Sequence, residues 1–374
     1  MREIPQDLVK PDYNRSVVNL SCWVLENFGL EAPHSPLDLP KGFEKVVILI
    51  VDALGLENFE KMERYYKPRN LPQPLEITST FPSTTTTALT SIVTALLPAE
   101  HGMLGYILFL KEYGFLVNMI DLSPIGYSRD LLKDRMAFRL PVETVFQRLR
   151  RNGTSPVVLT PARYTGSGLS NMLHAGARVV GYTSIGDFVV KLRSLMRGEG
   201  KRAIYAYVPN VDGVGHRESE RSYLNEAAMI VREIDNVVIP AIPEKTAFIL
   251  TADHGMIRTP KEKEIWWDMR SEIMEFLEMP PGGERRMMHL YTRDPDRLIE
   301  YLEESYGDKG VFLKKDEAVP LFGGGHERIG DVVLIALENF SFNFRYRFQE
   351  DSLKGMHGGL SSTEMRVPLF FIGR

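Results

Sequence analysis

The sequence predicts an α/β protein, with a mostly parallel central sheet flanked by helices and a small inserted α+β cap. Three observations carry that prediction. Short Val- and Ile-rich runs are continuous rather than alternating, as strands buried on both faces must be. Amphipathic stretches at helical spacing separate them, in the order that builds crossover units. The composition is that of an ordinary folded chain: 374 residues, 44% hydrophobic and 25% charged.

In chain order, the first strand is Val46 to Val51, six apolar residues ending at Asp52. Next comes TSTFPSTTTTALTSIVTALLPAEHGMLGY. There Pro82 and Ser83 open a helix whose Leu89, Ile92, Val93 and Leu96 share one face. Helical patterns at Val142 to Arg151, Asp187 to Met196 and Glu218 to Val238 alternate with strands at Val157 to Thr160, Ala203 to Val208 and Thr246 to Thr251. After Met256 the chain turns charged and aromatic and is broken by Pro280, Pro281 and the pair Gly282-Gly283, which reads as an exit from the core. A strand at Met287 to Tyr291, a helix at Asp294 to Tyr306 opened by Asp-Pro, and a strand at Gly310 to Lys314 form a small unit. Asp331 to Leu337 is a further apolar run, and Pro368 to Ile372 returns to the main sheet. The expected division is a catalytic core at 1–258 and 341–374 with an inserted cap at 259–340.

The net charge of -4, with the two signs interspersed, carries no nucleic-acid or membrane footprint. The polar start MREIPQDLVKPDYNRS lacks the order of a signal peptide, and no run approaches about 18 apolar residues. The expected location is cytoplasmic. The single Cys22 forms no intrachain disulfide, in keeping with a reducing compartment.

Four segments place acidic and imidazole side chains just past predicted strand ends, where open α/β sheets hold their ligands. In VVILIVDALG, Asp52 is a carboxylate at the end of a buried strand and calls for a compensating cation; a helix N-cap is the plain alternative. In AYVPNVDGVGHRES, Asp212 and His216 offer an oxygen and a nitrogen donor suited to zinc or manganese, against a turn Asp and a surface His. Asp253 and His254 end the strand of FILTADHGM, and His357 lies in the glycine-flanked KGMHGGLSSTEMRVP. Three carboxylates and three imidazoles together would hold two divalent cations.

Thr84 to Thr87 fill the first turn of the helix after Pro82, where free N–H groups and the positive end of the dipole favour an oxyanion. One hydroxyl suffices for capping, so the run exceeds what capping requires.

With these residues in place, the chain resembles the type I phosphodiesterase and nucleotide pyrophosphatase family of the alkaline phosphatase superfamily. A strand ending in Asp, an F-P segment leading into a helix, D-x-x-x-H, D-H-G and a late H-G follow in the family's order over Val46 to Gly105, Tyr205 to Met256 and His357 to Gly373. The resemblance implies an alkaline-phosphatase-like fold and a two-metal site, with zinc as the first candidate and manganese as the second. Asp212, His216 and His357 would hold one ion, and Asp52, Asp253 and His254 the other. It also implies a threonine nucleophile. The usual family form points to Thr80, whereas counting nine residues back from Thr94 points to Thr85, although Ala95 stands where relatives have glycine. Helix geometry selects Thr85, with Thr84 next, because Thr80 lies in an extended stretch before Pro82. Asn118 would take the phosphate-contacting role of a downstream asparagine.

The activity so implied is hydrolysis of phosphodiester or nucleotide pyrophosphate bonds through a phospho-threonine, on a small phosphorylated substrate such as a nucleotide. A phosphomonoesterase, a phosphonate hydrolase, a phosphomutase and a metal-stabilised binding protein are the alternatives. A sulfatase is disfavoured, since the threonine run contains neither Cys nor Ser. Trp266, Trp267 and Phe276 either stack on a base or pack the insert, and the sequence leaves the oligomeric state open.

Overall fold

The computed structural model of the protein describes residues 4–125, 140–166, 168–346 and 353–374. Its central sheet has seven strands in the order Leu75–Thr78, Arg366–Gly373, Thr246–Thr251, Lys45–Val51, Arg202–Val208, Ser155–Pro161 and Arg178–Tyr182. The five strands from Thr246–Thr251 to Arg178–Tyr182 are mutually parallel, and Arg366–Gly373 pairs antiparallel with both of its neighbours. Each strand with a continuous apolar run is central and buried, which is why its side chains never alternate in polarity.

Within this sheet, Leu75–Thr78 and Arg178–Tyr182 are the two strands that the pattern of apolar runs does not reveal. They form the two edges of the sheet and are short and half exposed, so no continuous apolar signal marks them.

Helices cover the sheet, and their ends follow local chemistry. Val145–Arg151 starts at a reciprocal capping box: Thr144 Oγ1 accepts from the Gln147 N–H, and Gln147 Oε1 accepts from the Thr144 N–H. The threonine-rich helix Thr85–Thr94 is capped by Ala95 in a left-handed conformation at φ 59°. Among the described residues no helix is long and apolar enough to cross a membrane.

A second, antiparallel sheet of seven strands draws Gly310–Lys314, Val332–Ala336, Met287–Leu290 and Gly282–Gly283 from the later part of the chain. It draws Ile107–Leu110, Phe115–Asn118 and Ser123–Pro124 from the earlier part. The strand-helix-strand unit expected there is present as Met287–Leu290, Pro295–Tyr306 and Gly310–Lys314. Along Val332–Ala336, alternate residues serve two cores. Val333 and Ile335 join the main core, and Val332, Leu334 and Ala336 join a smaller one built on Leu298, Leu302 and Phe342. Trp267 packs in that smaller core against Tyr306 and Phe342, while Phe276 stacks on Tyr301.

One buried ion pair ties the second sheet to the loop carrying His357. Arg286 Nη2 lies 2.9 Å from Glu364 Oε2, and the guanidinium also donates to the carbonyls of Leu337, Glu338 and Phe340. Glu364 in turn accepts from the Gly359 N–H and the Ser361 hydroxyl.

Candidate metal centre

The parallel strands end on one edge, and their next residues meet there. Asp52 follows Lys45–Val51, Asp253 and His254 follow Thr246–Thr251, and Asp212 sits in the first turn of the helix Asn210–Arg217 after Arg202–Val208. These strands are adjacent and in register, Ile50 opposite both Tyr207 and Thr251, so the carboxylates converge without any long loop. The turn after Asp52 is sharp: Ala53 adopts φ 60°, its N–H donates to Asp253 Oδ1 at 3.2 Å, and its carbonyl accepts from the Tyr223 hydroxyl at 2.5 Å.

Two groups of side chains could each hold an ion. One is Asp212, His216 and His357; His216 Nε2 and His357 Nε2 stand 3.1 and 3.7 Å from Asp212 Oδ1. The other is Asp52, Asp212 and His254, with Asp52 Oδ1 3.5 Å from His254 Nε2 and Asp253 Oδ2 close behind at 3.6 Å. Asp212 thus reaches both groups, because the helix start that carries it lies beside the end of the Asp52 strand. The ligand sets that the resemblance implies assign Asp212 to one ion only.

All three imidazoles are oriented in the same way. The Nδ1 atoms of His216, His254 and His357 lie 2.7, 3.0 and 3.2 Å from the carbonyls of Gly355, Gly255 and Ser83. A carbonyl only accepts, so in the neutral ring Nδ1 carries the proton and Nε2 presents a lone pair inward. His254 and His357 stack with centroids 3.9 Å apart.

The electrostatics of the cluster are unbalanced. Asp52 Oδ1, Asp212 Oδ1 and Asp253 Oδ2 are buried and accept no well-aligned hydrogen bond. Burial, together with the charges of Asp253 and Asp212, pushes the Asp52 carboxyl well above the usual carboxylate range, and burial likewise pushes His357 down. Against the same burial, His216 holds Asp212 low, and Asp212 raises His216. Orphaned carboxylate oxygens facing inward imidazole lone pairs are a donor set that fits divalent cations of the zinc or manganese type.

Of the threonines, Thr85 stands at the cluster, its Oγ1 3.1 Å from His254 Nε2. Thr84 lines the same cleft one residue away. Thr80 is buried, with its hydroxyl turned to the Pro82 carbonyl at 3.4 Å. Ser83 ties the start of the helix Thr85–Thr94 to the His357 loop, its Oγ donating to the Gly359 carbonyl and accepting from the Gly358 N–H. Asn118 lines the cleft too, but its amide donates to the Tyr106 hydroxyl at 2.7 Å and accepts from the N–H groups of Ile120 and Asp121.

Two contributors escape the sequence reading. Tyr207 donates its hydroxyl to Asp52 Oδ2; the alternation in AIYAYV puts it on the face of the sheet with Ile50, a signal visible only once the neighbouring strand is known. Glu284, from the second sheet, also lines the cleft and accepts from the Tyr106 N–H at 2.6 Å, and burial pushes its carboxyl up to about 8. Arg163, Arg217 and Arg285 line the cleft as well and bring cationic side chains to it.

Comparison with known proteins follows the same lines. The family model for type I phosphodiesterase / nucleotide pyrophosphatase matches residues 46–360. Among solved structures, murine ectonucleotide pyrophosphatase / phosphodiesterase 5 is similar with a TM-score of 0.65 at 15% identity, over 88% of each chain. Phosphonoacetate hydrolase from Sinorhizobium meliloti 1021, in complex with phosphonoformate, is similar with a TM-score of 0.65 at 18% identity, over 87% of this chain and 89% of that one. At such identities the likeness establishes the shared fold. A comparison with curated proteins gave no match.

Proposed function

We propose that this chain, which belongs to the type I phosphodiesterase / nucleotide pyrophosphatase family, hydrolyses phosphodiester or nucleotide pyrophosphate bonds with Thr85 as nucleophile. The supporting observation is the convergence of three orphaned carboxylate oxygens and inward imidazole nitrogens around the Thr85 hydroxyl. Asp212, His216 and His357 would hold one divalent cation, and Asp52, Asp253 and His254 the other, with Asp212 within reach of both. Zinc is the first candidate and manganese the second. When bound, such ions lower the pKa of the threonine hydroxyl and stabilise charge on the phosphoryl and leaving oxygens.

The chain's own residues do the rest. Thr85 gives up its hydroxyl proton to solvent as its Oγ attacks phosphorus in line, the bond from phosphorus to the leaving oxygen breaks, and the departing alkoxide or phosphate takes a proton back from water. The phospho-threonine is then hydrolysed by a water that returns Thr85 to its starting state. Placement of Thr85 in the first helical turn aims backbone N–H groups at the phosphoryl oxygens. Tyr207 fixes Asp52 through Oδ2 and leaves Oδ1 for the cation. Asn118 reaches a phosphate oxygen by exchanging its bond to Tyr106. The segment 259–340, together with the strands at 107–124, acts as the cap over the leaving group.

Three carboxylates against two dications leave one positive charge, which suits a monoanionic diester better than a dianionic monoester. The test is release of 4-nitrophenol from bis-(4-nitrophenyl) phosphate and from the monoester by metal-loaded protein. Phosphonoacetate serves as a third substrate, because a phosphonate hydrolase would use the same cluster. Metal-dependent turnover with the diester preferred supports the reading. Turnover of the monoester or the phosphonate alone would transfer it to those classes, and no turnover by folded, metal-loaded protein would leave a binding protein.

A further inference from the structure

Among the described residues, seven α-helices begin after a Ser, Thr or Asp, and six of them are capped by that side chain. Ser16, Thr144, Ser184, Ser219, Asp294 and Ser361 each accept from a first-turn N–H. The exception is Thr84, which opens the helix Thr85–Thr94. Its backbone is extended at φ -138° and ψ 150°, close to that of Ser184 at φ -145° and ψ 167°, so the conformation suits a cap. Its hydroxyl does not make one.

Both hydroxyls at this helix start turn elsewhere. Ser83 is engaged with Gly358 and Gly359, and the Thr84 hydroxyl bonds to the Glu284 carboxyl. Glu284 is itself held in place by the hairpin that carries it. Its Oε1 accepts from the Tyr106 N–H at 2.6 Å, and its stem lies so close to the His357 loop that a methyl carbon added at Gly358 would fall 2.7 Å from Glu284 Cβ. The second sheet, the His357 loop and the helix start therefore meet at one carboxyl. A hydroxyl can donate and accept together, so direction rather than valence withholds Thr84 from its own helix. Turned to Glu284, it leaves the N–H groups of Thr86 and Thr87, which a cap would take, to a ligand.

We infer that Glu284 is a positioning residue: by holding the Thr84 hydroxyl it keeps the first-turn N–H groups of the helix Thr85–Thr94 open to the phosphoryl oxygens of the substrate. The role needs only an acceptor oxygen, which a carboxyl offers whether ionised or neutral. The inference rests on the hydrolase reading with Thr85 as nucleophile, and adds to it a residue of the second sheet that acts through Thr84.

The experiment measures kcat/KM on bis-(4-nitrophenyl) phosphate for the zinc-loaded full chain, Glu284→Gln, Glu284→Met, and Glu284→Met combined with Thr84→Ala. A threonine cap is worth about fivefold in an equilibrium. Once Glu284→Met frees Thr84 to cap the helix, kcat/KM should fall by about fivefold, whereas Glu284→Gln keeps an acceptor and should stand about threefold or more above it. The second substitution carries the diagnostic sign: Thr84→Ala added to Glu284→Met should raise kcat/KM by about threefold or more, because no hydroxyl remains to cap. Packing or charge lost at Glu284 would not be repaired by deleting another group. Should Glu284→Met not fold, Glu284→Ala removes the same acceptor and takes its place.

Activity of Glu284→Met equal to that of the unaltered chain, or a double variant no faster than Glu284→Met, overturns the inference while the hydrolase reading stands. If the unaltered chain turns over no ester, the hydrolase reading fails instead, and amide exchange in ¹⁵N-threonine-labelled protein decides separately. Slower exchange at Thr86 and Thr87 in Glu284→Met, reversed by Thr84→Ala, supports the inference; unchanged exchange overturns it.

Discussion

Two buried ionic clusters lie within a few residues of the His357 loop, and they are opposites. Around Arg286 and Glu364 each charge is met: the guanidinium contacts a carboxylate and three carbonyls, and the carboxylate receives an N–H and a hydroxyl besides. At Asp52, Asp212 and Asp253 one oxygen of each carboxylate is buried without such a partner. The first cluster is complete within the protein and joins the two sheets. The second is left for an added cation to complete, and the difference separates a fully buried structural ion pair from the proposed cation cradle, whose Asp212 and His216 face the open cleft.

The largest expected effect falls on Thr85. Thr85→Ala should lower kcat on bis-(4-nitrophenyl) phosphate by about 10⁴-fold, equivalent to ~5.5 kcal/mol, while metal content by elemental analysis stays unchanged. Retained activity would move the nucleophile to Thr84 and weaken the link between the cradle and the helix. Next is Arg286→Met, which leaves Glu364 buried and unpaired and should destabilise the fold by ~3–5 kcal/mol in urea unfolding. The double variant Arg286→Met with Glu364→Met should recover much of that loss.

Tyr207→Phe removes only the hydrogen bond that orients Asp52, and metal affinity measured by competition with a chelator should fall by ~10–100-fold. A smaller effect has the opposite sign to ordinary core substitutions. In metal-free protein Asp52→Asn removes a repelling buried charge and should raise stability by ~1 kcal/mol, whereas with metal present it should lower it.

Titration sharpens the contrast. Against the burial that opposes its ionisation, Arg286 and the bonds from Ser361 and Gly359 hold Glu364 below the usual carboxylate range. Its contribution is present above the unfolded-state pKa and is lost as pH falls through the folded one. Burial and like charges push Asp52 up, so in metal-free protein its contribution is present at low pH and is lost as pH rises through its folded pKa. Stability measured against pH should therefore bend downward at acid pH because of Glu364. In chelator-treated protein alone it should also bend downward on the alkaline side, and Asp52→Asn should remove that second bend.

The sequence made the cradle legible because its donors sit directly after continuous apolar runs, and such runs can only be central strands. Asp52, Asp212 and Asp253 are fixed by that geometry once the strand order is set. His357 was visible through its glycine-flanked loop. What brings it to the site is the Ser83 carbonyl and the bonds of the Ser83 hydroxyl, contacts across more than 270 positions that no local pattern reports. The pairing of the strands at 107–124 into the second sheet, and the place of Glu284 in the cleft, escape such a pattern for the same reason. Their partners lie far along the chain, and Ile107–Leu110 is too short and too evenly apolar to announce which sheet it joins. The edge strands went unseen because half-exposed strands lack the signal on which the rest were found.

The three imidazoles owe their orientation to main-chain oxygens, and this sets which mutations the centre can survive. Any residue at position 83 presents the same carbonyl, so that anchor persists through side-chain drift. At 255 and 355 the chain runs so close to Thr363 and to Gly215 that an added methyl carbon would fall 1.8 and 2.7 Å from their backbone oxygens. The orientation of His254 and His216 therefore depends on leaving two glycines in place, whereas the loop of His357 depends on the hydroxyl at position 83 and on Gly358, whose φ is +115°.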